Sequence, residues 1–543
     1  MTRHSISGNI VDLHSSSVFP GTVEVEEGRI VRITRDDCTY DRFIIPGLID
    51  SHIHIESSML PPSEFSRIAT VHGTVAAVSD PHEIANVLGM DGIRYMIDDA
   101  KTVPFRFFFG APSCVPTTPL ESSGALIGPA EIEALLEQDD ILYLSEMMNV
   151  PGVLNNDPDV MLKIEAAQRR GKPVDGHAPG LRGDALAQYI NAGITTDHET
   201  SSWEEGEEKI RMGMKLFVRE GSAARDLESL LPLVKKYPGA CMFCSDDRHP
   251  DDLVKGHINE SVKRAVAFGI PAMMAMRIAS FNPALHYGLD VGLLREGDRA
   301  DFIVVDNLRD FSVLQTWIGG ELVAEEGKPL IPRQEPRVIN NFGCSRKSVS
   351  DFAVPARGER AAVIEVMDGR IDTGSEVLPV TSKDGQVVSD PERDILKIAV
   401  VNRYKDAPVA LGLVTNMGLR RGAIASSVAH DSHNIVAVGV TDEELCRAVN
   451  LIIENKGGVA LVSGDEEQIL PLPIAGLMAS GDYIEVAEQY ARLNTLARNL
   501  GSSLSAPFMT LSFLSLIVIP KLKLSDRGLF DVETFGYREL FEG

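Results

Sequence analysis

The chain has 543 residues, with 52 Lys and Arg against 78 Asp and Glu, a formal charge of −26. An apolar fraction of 44% and a charged fraction of 24% exclude a wholly disordered chain, and at about 150 residues per domain the length argues for about three domains. The negative charge repels phosphate backbones, which excludes a general nucleic-acid binder and favours a free small molecule as partner.

In chain order, the N-terminus Met1-Thr-Arg-His-Ser-Ile6 lacks the apolar core of a secretory signal. Residues 8–45 read as short strands. Gly21–Ile33 alternates apolar and polar residues around Glu27-Gly28, the pattern of a hairpin with one wet face. After Pro46-Gly47 the pattern changes. Eight apolar, β-branched-rich runs are read as strands: Phe43–Glu56, Thr74–Glu83, Phe105–Ser113, Ile141–Met148, Pro173–Gly180, Ile194–Thr200, Lys215–Ser222 and Ala240–Asp247. Amphipathic stretches such as Pro129–Glu137 and Asp157–Arg170 fill the gaps as helices. Eight parallel strand–helix units are the count of an α/β (β/α)8 TIM-like barrel, here residues 46–289. A doubly wound open sheet would use fewer strands and need a switch-point crevice.

Gly292–Asp306 reads as strand, turn, strand, so residues 290–340 are expected to join residues 1–45 in a small flanking β-sandwich domain. Residues 333–350, broken by Pro336 and Gly343, read as a linker. Residues 350–543 form a C-terminal α/β domain, with strands at Ile398–Val401, Ile435–Val440 and Val459–Val462 and helices at Asp442–Asn455 and Tyr483–Leu500. The most apolar run, Phe508–Ile519, contains Thr510, Ser512 and Ser515 and falls short of the ~20 residues of a spanning helix. Six cysteines do not make a disulfide framework in a chain this long. A cytoplasmic protein with reduced thiols and no membrane contact is expected, with a homodimer as the default oligomer.

Chemistry in such barrels gathers at the C-terminal ends of the strands, and six of the eight runs end in a side chain able to bind a metal or carry a proton. The first ends Asp50-Ser-His52-Ile-His54. Residues i and i+2 share a face, so both imidazoles can reach one cation. The others end in His82-Glu83, Glu146, His177, His198 and Asp246-Asp247. A lone strand-end His is more often a satisfied core residue than a ligand, and a lone His-x-His is common. The joint order His-x-His, Glu, His, His, Asp at successive strand ends points to a metal site. Four imidazoles (His52, His54, His177, His198) and two carboxylates (Glu146, Asp246) suit divalent first-row metals. With Glu146 bridging, the count fits two ions better than one, and two ions sharing a water generate hydroxide near neutral pH.

Smaller signals surround this set. Arg219-Glu220-Gly221-Ser222 ends the seventh run and offers Glu220 or Ser222 to a substrate edge; a polar strand-to-helix turn reads equally well. Arg248 and His249 follow Asp246 as candidate pocket residues. Cys241 and Cys244 lie within one strand on opposite faces, as buried thiols rather than a metal pair. His430-Asp-Ser-His433-Asn434 reads as a polar loop, with closure over the barrel mouth as the other reading. Glu204–Glu208 reads as a solvated helix start.

The order of candidate ligands resembles the amidohydrolase superfamily, as does the text Ile45-Pro-Gly-Leu-Ile-Asp-Ser-His-Ile-His54 before the barrel and Gly297-Asp-Arg-Ala-Asp-Phe-Ile-Val-Val-Asp306 after it. Within that superfamily the chain is similar to the bacterial-type adenine deaminases. The matching stretches are His52–Met59, Ser79-Asp-Pro-His-Glu-Ile-Ala-Asn-Val87, Cys244-Ser-Asp-Asp-Arg-His-Pro250 and Pro507-Phe-Met-Thr-Leu-Ser-Phe513. The similarity spans essentially the whole chain, including a third domain that most amidohydrolases lack. It implies two divalent ions, Mn2+ or Fe2+, and hydrolysis of adenine to hypoxanthine and ammonia by a metal-bound hydroxide. It further implies that His52 and His54 hold the more buried ion and His177 and His198 the other. Glu146 stands where many members carry a carboxylated Lys. Asp246 would bind the first ion and shuttle protons, with Asp247 as the neighbouring register. Ring N1 needs a separate acid, for which Glu83 and His82 are the candidates; a loop carboxylate and a structural His is the plainer reading of that pair. The competing enzyme class is a cyclic amidohydrolase that opens a hydantoin or dihydropyrimidine ring with the same hydroxide. A non-catalytic scaffold would have lost ligands, and this chain keeps all of them.

Overall fold

A computed structural model describes residues 3–541. Met1, Thr2, Glu542 and Gly543, which the N-terminal reading and the outer domain limits included, lie outside the described residues. The barrel strands are β1 (Leu48–Ile53), β2 (Thr74–Ser79), β3 (Arg106–Ala111), β4 (Ile141–Met147), β5 (Val174–Gly176), β6 (Thr196–Asp197), β7 (Lys215–Arg219) and β8 (Cys241–Cys244). β1 to β5 pair in parallel, as do β6 to β8. Two seams close the ring. Thr195 N donates to Val174 O at 3.0 Å between β5 and β6, and Asp246 N donates to His52 O at 3.0 Å where β8 returns to β1. The strand interiors are almost wholly buried, as parallel strands covered by helices require. Asp157 caps the helix Pro158–Arg169 by accepting from Asp159 N and Val160 N, satisfying two of its unpaired donors.

The first run divides. Phe43–Pro46 joins the flanking sheet and only Leu48–Ile53 enters the barrel. Gly47 makes the break possible, because a Cβ there would lie 2.4 Å from the Val75 methyls. The flanking sheet has eight strands, running from Lys328–Pro329 through Glu321–Glu325, Val313–Ile318, Phe302–Val305, Phe43–Pro46, Arg3–Asp12 and Ser17–Glu26 to Arg29–Arg35. Ile10, Val23 and Ile30 share one core with Phe302, Val304 and Trp317, so segments from both sides of the barrel make one unit. The strand expected at Gly292 is a loop. Asp298 and Asp301 accept from its backbone N–H groups at Leu293 and Gly292, so side chains take the place of a partner strand.

The C-terminal region holds a second eight-stranded sheet, centred on Ile395–Val401 between Ala410–Thr415 and Ile435–Gly439. Helix Asp442–Asn455 covers one face with Leu445, Val449 and Ile452. Helix Tyr483–Asn499 faces the barrel: Arg67 donates to Asp482 at 2.8 Å, at the start of that helix, and Tyr490 hydroxyl meets His249 Nδ1 at 2.6 Å. This region therefore sits over the C-terminal end of the barrel. The run Phe508–Ile519 is a short helix, Pro507–Ser512, followed by turns. Among the described residues no helix is long and apolar enough to cross a membrane.

Candidate metal centre and substrate cavity

Strand parity brings the predicted ligands together. His52 of β1 and His54, just past its end, both face inward. Their Nε2 atoms lie 3.7 and 3.3 Å from Asp246 Oδ1, just past β8. Glu146, near the end of β4, stands at the centre. Its Oε1 is 3.2 Å from His54 Nε2, and its Oε2 is 2.8 Å from His177 Nδ1 and 3.1 Å from His198 Nε2. One carboxylate thus serves two groups of imidazoles, one on each oxygen. The His52 and His198 rings stack at 4.2 Å.

Braces behind these side chains fix their aim. The Asp197 carboxylate accepts from Ala178 N and Thr200 N, both at 2.9 Å, and from Lys209 Nζ at 3.0 Å. It thereby locks the turns that carry His177 and His198. Lys209 and Glu205 are buried with it, so the acidic helix start predicted to be solvated is only partly so. The Tyr189 hydroxyl receives the His177 N–H at 3.0 Å and donates to Met147 O at 2.6 Å.

The donor set fits a cation. His54 Nδ1 lies 3.2 Å from the Asp80 carbonyl. A carbonyl only accepts, so Nδ1 carries a proton and Nε2 is the nitrogen turned toward Glu146 and Asp246. Neither ring nitrogen of the fully buried His52 has a hydrogen-bond partner, a cost that a metal bond removes at one of them. Burial holds His52 well below the usual imidazole range, with help from neighbouring His198 and His54, which leaves one ring nitrogen with a free lone pair. Burial also opposes charge on His54 and His198, yet carboxylates outweigh it: Asp246 and Glu146 raise His54 well above its ordinary value, and Glu146, Asp246 and Glu199 raise His198 to about 9. A field that draws protons to these nitrogens draws cations as well.

Asp246 rather than Asp247 sits among the imidazoles. It adopts a left-handed backbone (φ 54°), a conformation that Asp tolerates better than most residues. Its Oδ2 accepts from Arg219 Nη1 at 3.1 Å. Asp247 instead accepts from Ser57 Oγ. His82 Nδ1 lies 3.1 Å from Asp80 Oδ2 and 3.4 Å from Glu146 Oε1, and its Nε2 is 3.5 Å from Glu83. Both His82 and Glu83 line the cavity.

The structure does not bring the other predicted pocket residues to this cavity. Glu220 pairs with Arg264, away from the ligands. Arg248 donates to Glu220 O at 2.8 Å, and Ser222 Oγ donates to Asp252 at 2.9 Å; Ser222 borders only the wider mouth. The reason is strand parity: Phe217 of β7 faces His52, so Arg219 also faces inward and Glu220 outward. Arg219 is the residue this stretch contributes, joining Glu199, Asp226 and Asp246 in one buried network. Cys241 and Cys244 are buried free thiols.

The far wall of the cavity comes from the C-terminal region: Ile371, Phe513, Leu516, Val518 and Ile519 are apolar, with His430 and Asp431 beside them. The loop read as merely polar therefore reaches the site. A charged floor under an apolar wall suits a small, flat heteroaromatic molecule with polar edges.

Residues 43–323 match the amidohydrolase family, and residues 370–536 match the adenine deaminase C-terminal domain. Similar curated proteins include the adenine deaminase of Salinibacter ruber, 54% identical over 99% of both chains. That of a Sulfurovum species is 54% identical over 98% of both. That of Methanosarcina mazei is 51% identical over 98% of this chain and 99% of the relative.

Proposed function

The chain belongs to the amidohydrolase family and, within it, to the adenine deaminases, and on that premise we infer that it hydrolyses adenine to hypoxanthine and ammonia. The observation that carries the reading is Glu146, with one oxygen toward His54 and the other toward His177 and His198, beneath an apolar wall. His52, His54 and Asp246 would hold one divalent ion and His177 and His198 a second, with Glu146 between them; manganese or iron suits this imidazole–carboxylate set. Two such ions supply Lewis acidity that lowers the pKa of water and makes hydroxide available near neutral pH.

The rest of the reaction falls to the protein. Adenine C6 is a poor electrophile and its amino group a poor leaving group, so N1 and the departing nitrogen both need protons. Asp246 takes a proton from the attacking oxygen and delivers it to the amino nitrogen, while Arg219 fixes the carboxylate from behind. Such a transfer is worth roughly 10²–10⁴ in rate. Glu83 and His82, across the cavity, are assigned to the N1 proton. Phe513 and Leu516 lie against the base and exclude water. This assigns chemistry to residues 46–289, beside the β domain of residues 1–45 and 290–340, with residues 350–543 as cover.

The test is ammonia release from adenine after Mn2+ or Fe2+ is restored, with hydantoin and dihydrouracil as contrasts. Ammonia and hypoxanthine are expected. Ring-opening activity with no ammonia from adenine would move the protein to the cyclic amidohydrolases.

A further inference from the structure

Glu83 follows β2, yet both of its oxygens are bonded from the C-terminal region, Oε1 to His430 Nδ1 and Oε2 to His433 Nε2. All three side chains are buried. The bonding fixes the state of His433. Its Nδ1 accepts the Ala429 N–H at 3.2 Å, so the ring proton is on Nε2 and a neutral imidazole donates to Glu83. Burial lowers the His433 pKa, in agreement.

His430 is built differently. Its Nδ1 is engaged by Glu83, and its ring stacks on Phe513 at 4.5 Å and 16°, which sets the plane of the imidazole. Its Nε2 is buried without a partner, and the residue lines the cavity beside His82, Glu83 and Asp431. A buried ring nitrogen left unsatisfied is costly. Here the ring is held on its other nitrogen and on one face, so it cannot turn away to find a partner. A polar edge of a bound molecule is what completes it.

We propose that the loop Ala429–Asn434 is a working part of the active site, in which His433 is a positioning residue that aims Glu83 and His430 contacts the purine edge through Nε2. The proposal rests on the adenine reading above and deepens it: the barrel supplies the hydrolytic chemistry and the C-terminal region supplies recognition of the base. It also explains why a barrel carboxylate is bonded by residues about 350 positions later in the chain.

Side-chain amides test this, because the Asn nitrogen reproduces imidazole Nδ1 and the Gln nitrogen reproduces Nε2. His433→Gln keeps the donor to Glu83 and His433→Asn removes it. His430→Asn keeps the bond to Glu83 and removes the group that faces the base. His433→Asn is expected to lower kcat by about 100-fold or more, and His433→Gln to recover it to within about tenfold of wild type. His430→Asn is expected to raise KM for adenine about tenfold, the worth of one hydrogen bond, with a smaller fall in kcat. Metal content, measured on each variant, stays at the wild-type level. If wild type releases no ammonia from adenine, the functional reading itself fails. If wild type is active and the variants all stay within about threefold of it, this proposal alone is overturned. Equal losses in His433→Asn and His433→Gln, or losses that follow loss of metal, overturn it too. Should His433→Asn not fold, near-normal kcat in His433→Gln together with the KM rise in His430→Asn upholds the proposal, and any other pair of results overturns it.

Discussion

The two sides of the cavity are made by different physics. The barrel rim gathers His52, His54, Glu146, His177, His198 and Asp246 in overlapping groups of three or four, a set of lone pairs and negative charge that suits cations. The facing wall is Phe513, Leu516, Val518 and Ile519 with His430 among them, a surface that suits a flat base. On the proposed function, metal binding and base recognition fall to different elements, and mutation should separate them: rim variants lose metal or turnover, whereas wall variants keep metal and lose affinity for adenine.

The sharpest break is Glu146→Ala. It removes the one carboxylate that, among the described residues, faces both imidazole groups, so bound metal and ammonia release should both vanish, measured by elemental analysis and a coupled ammonia assay. Full metal content in that variant would dissolve the comparison. Next in size is Asp246→Asn, which should retain much of the metal but lower kcat by about 10²–10⁴ through loss of the proton carrier. Steady-state kinetics beside elemental analysis checks it. Arg219→Gln tests the support beneath the rim. Its buried guanidinium pairs with Glu199, Asp226 and Asp246, and stranding buried charges costs about 3–5 kcal/mol, to be read from denaturant unfolding.

On the wall side, Phe513→Ala should raise KM roughly tenfold, from the loss of about 1.5–3 kcal/mol of apolar contact shared between the base and the His430 ring, with metal content unchanged. The smallest effect concerns the wall's anchor. Lys523 donates to Phe513 O and Ile371 O at 3.0 and 2.8 Å, and burial pushes its pKa down to about 7 from the ordinary 10.5. Between those values the unfolded chain holds a proton that the folded Lys523 lacks. Stability should therefore rise with pH across that window, by up to about 1.4 kcal/mol per pH unit. Lys523→Met should flatten this component, seen as the difference between wild-type and variant unfolding curves from pH 7.5 to 9.5.

The rim was readable in advance because it obeys local rules. His52 and His54 share a face by strand parity, and the remaining ligands fall at successive strand ends of a ring whose eight runs are all present. The same parity, counted from the inward-facing Phe217, selects Arg219, whereas the polarity of the turn alone points to Glu220 and Ser222. The first run hid a boundary, since Phe43–Pro46 and Leu48–Ile53 follow one another with a single residue between them, Gly47, which packs closely against Val75. The wall obeys no local rule. His430 and His433 meet Glu83 across 347 and 350 residues, and no periodicity encodes that contact. Its one trace is a pair of imidazoles in a stretch otherwise poor in His.

The most direct test of the central claim is an anomalous-difference map from crystals grown with Mn2+. The account predicts two peaks flanking Glu146, one at bonding distance from His52, His54 and Asp246 and the other at bonding distance from His177 and His198. A single peak away from Glu146, or no peak in protein that releases ammonia from adenine, would contradict it.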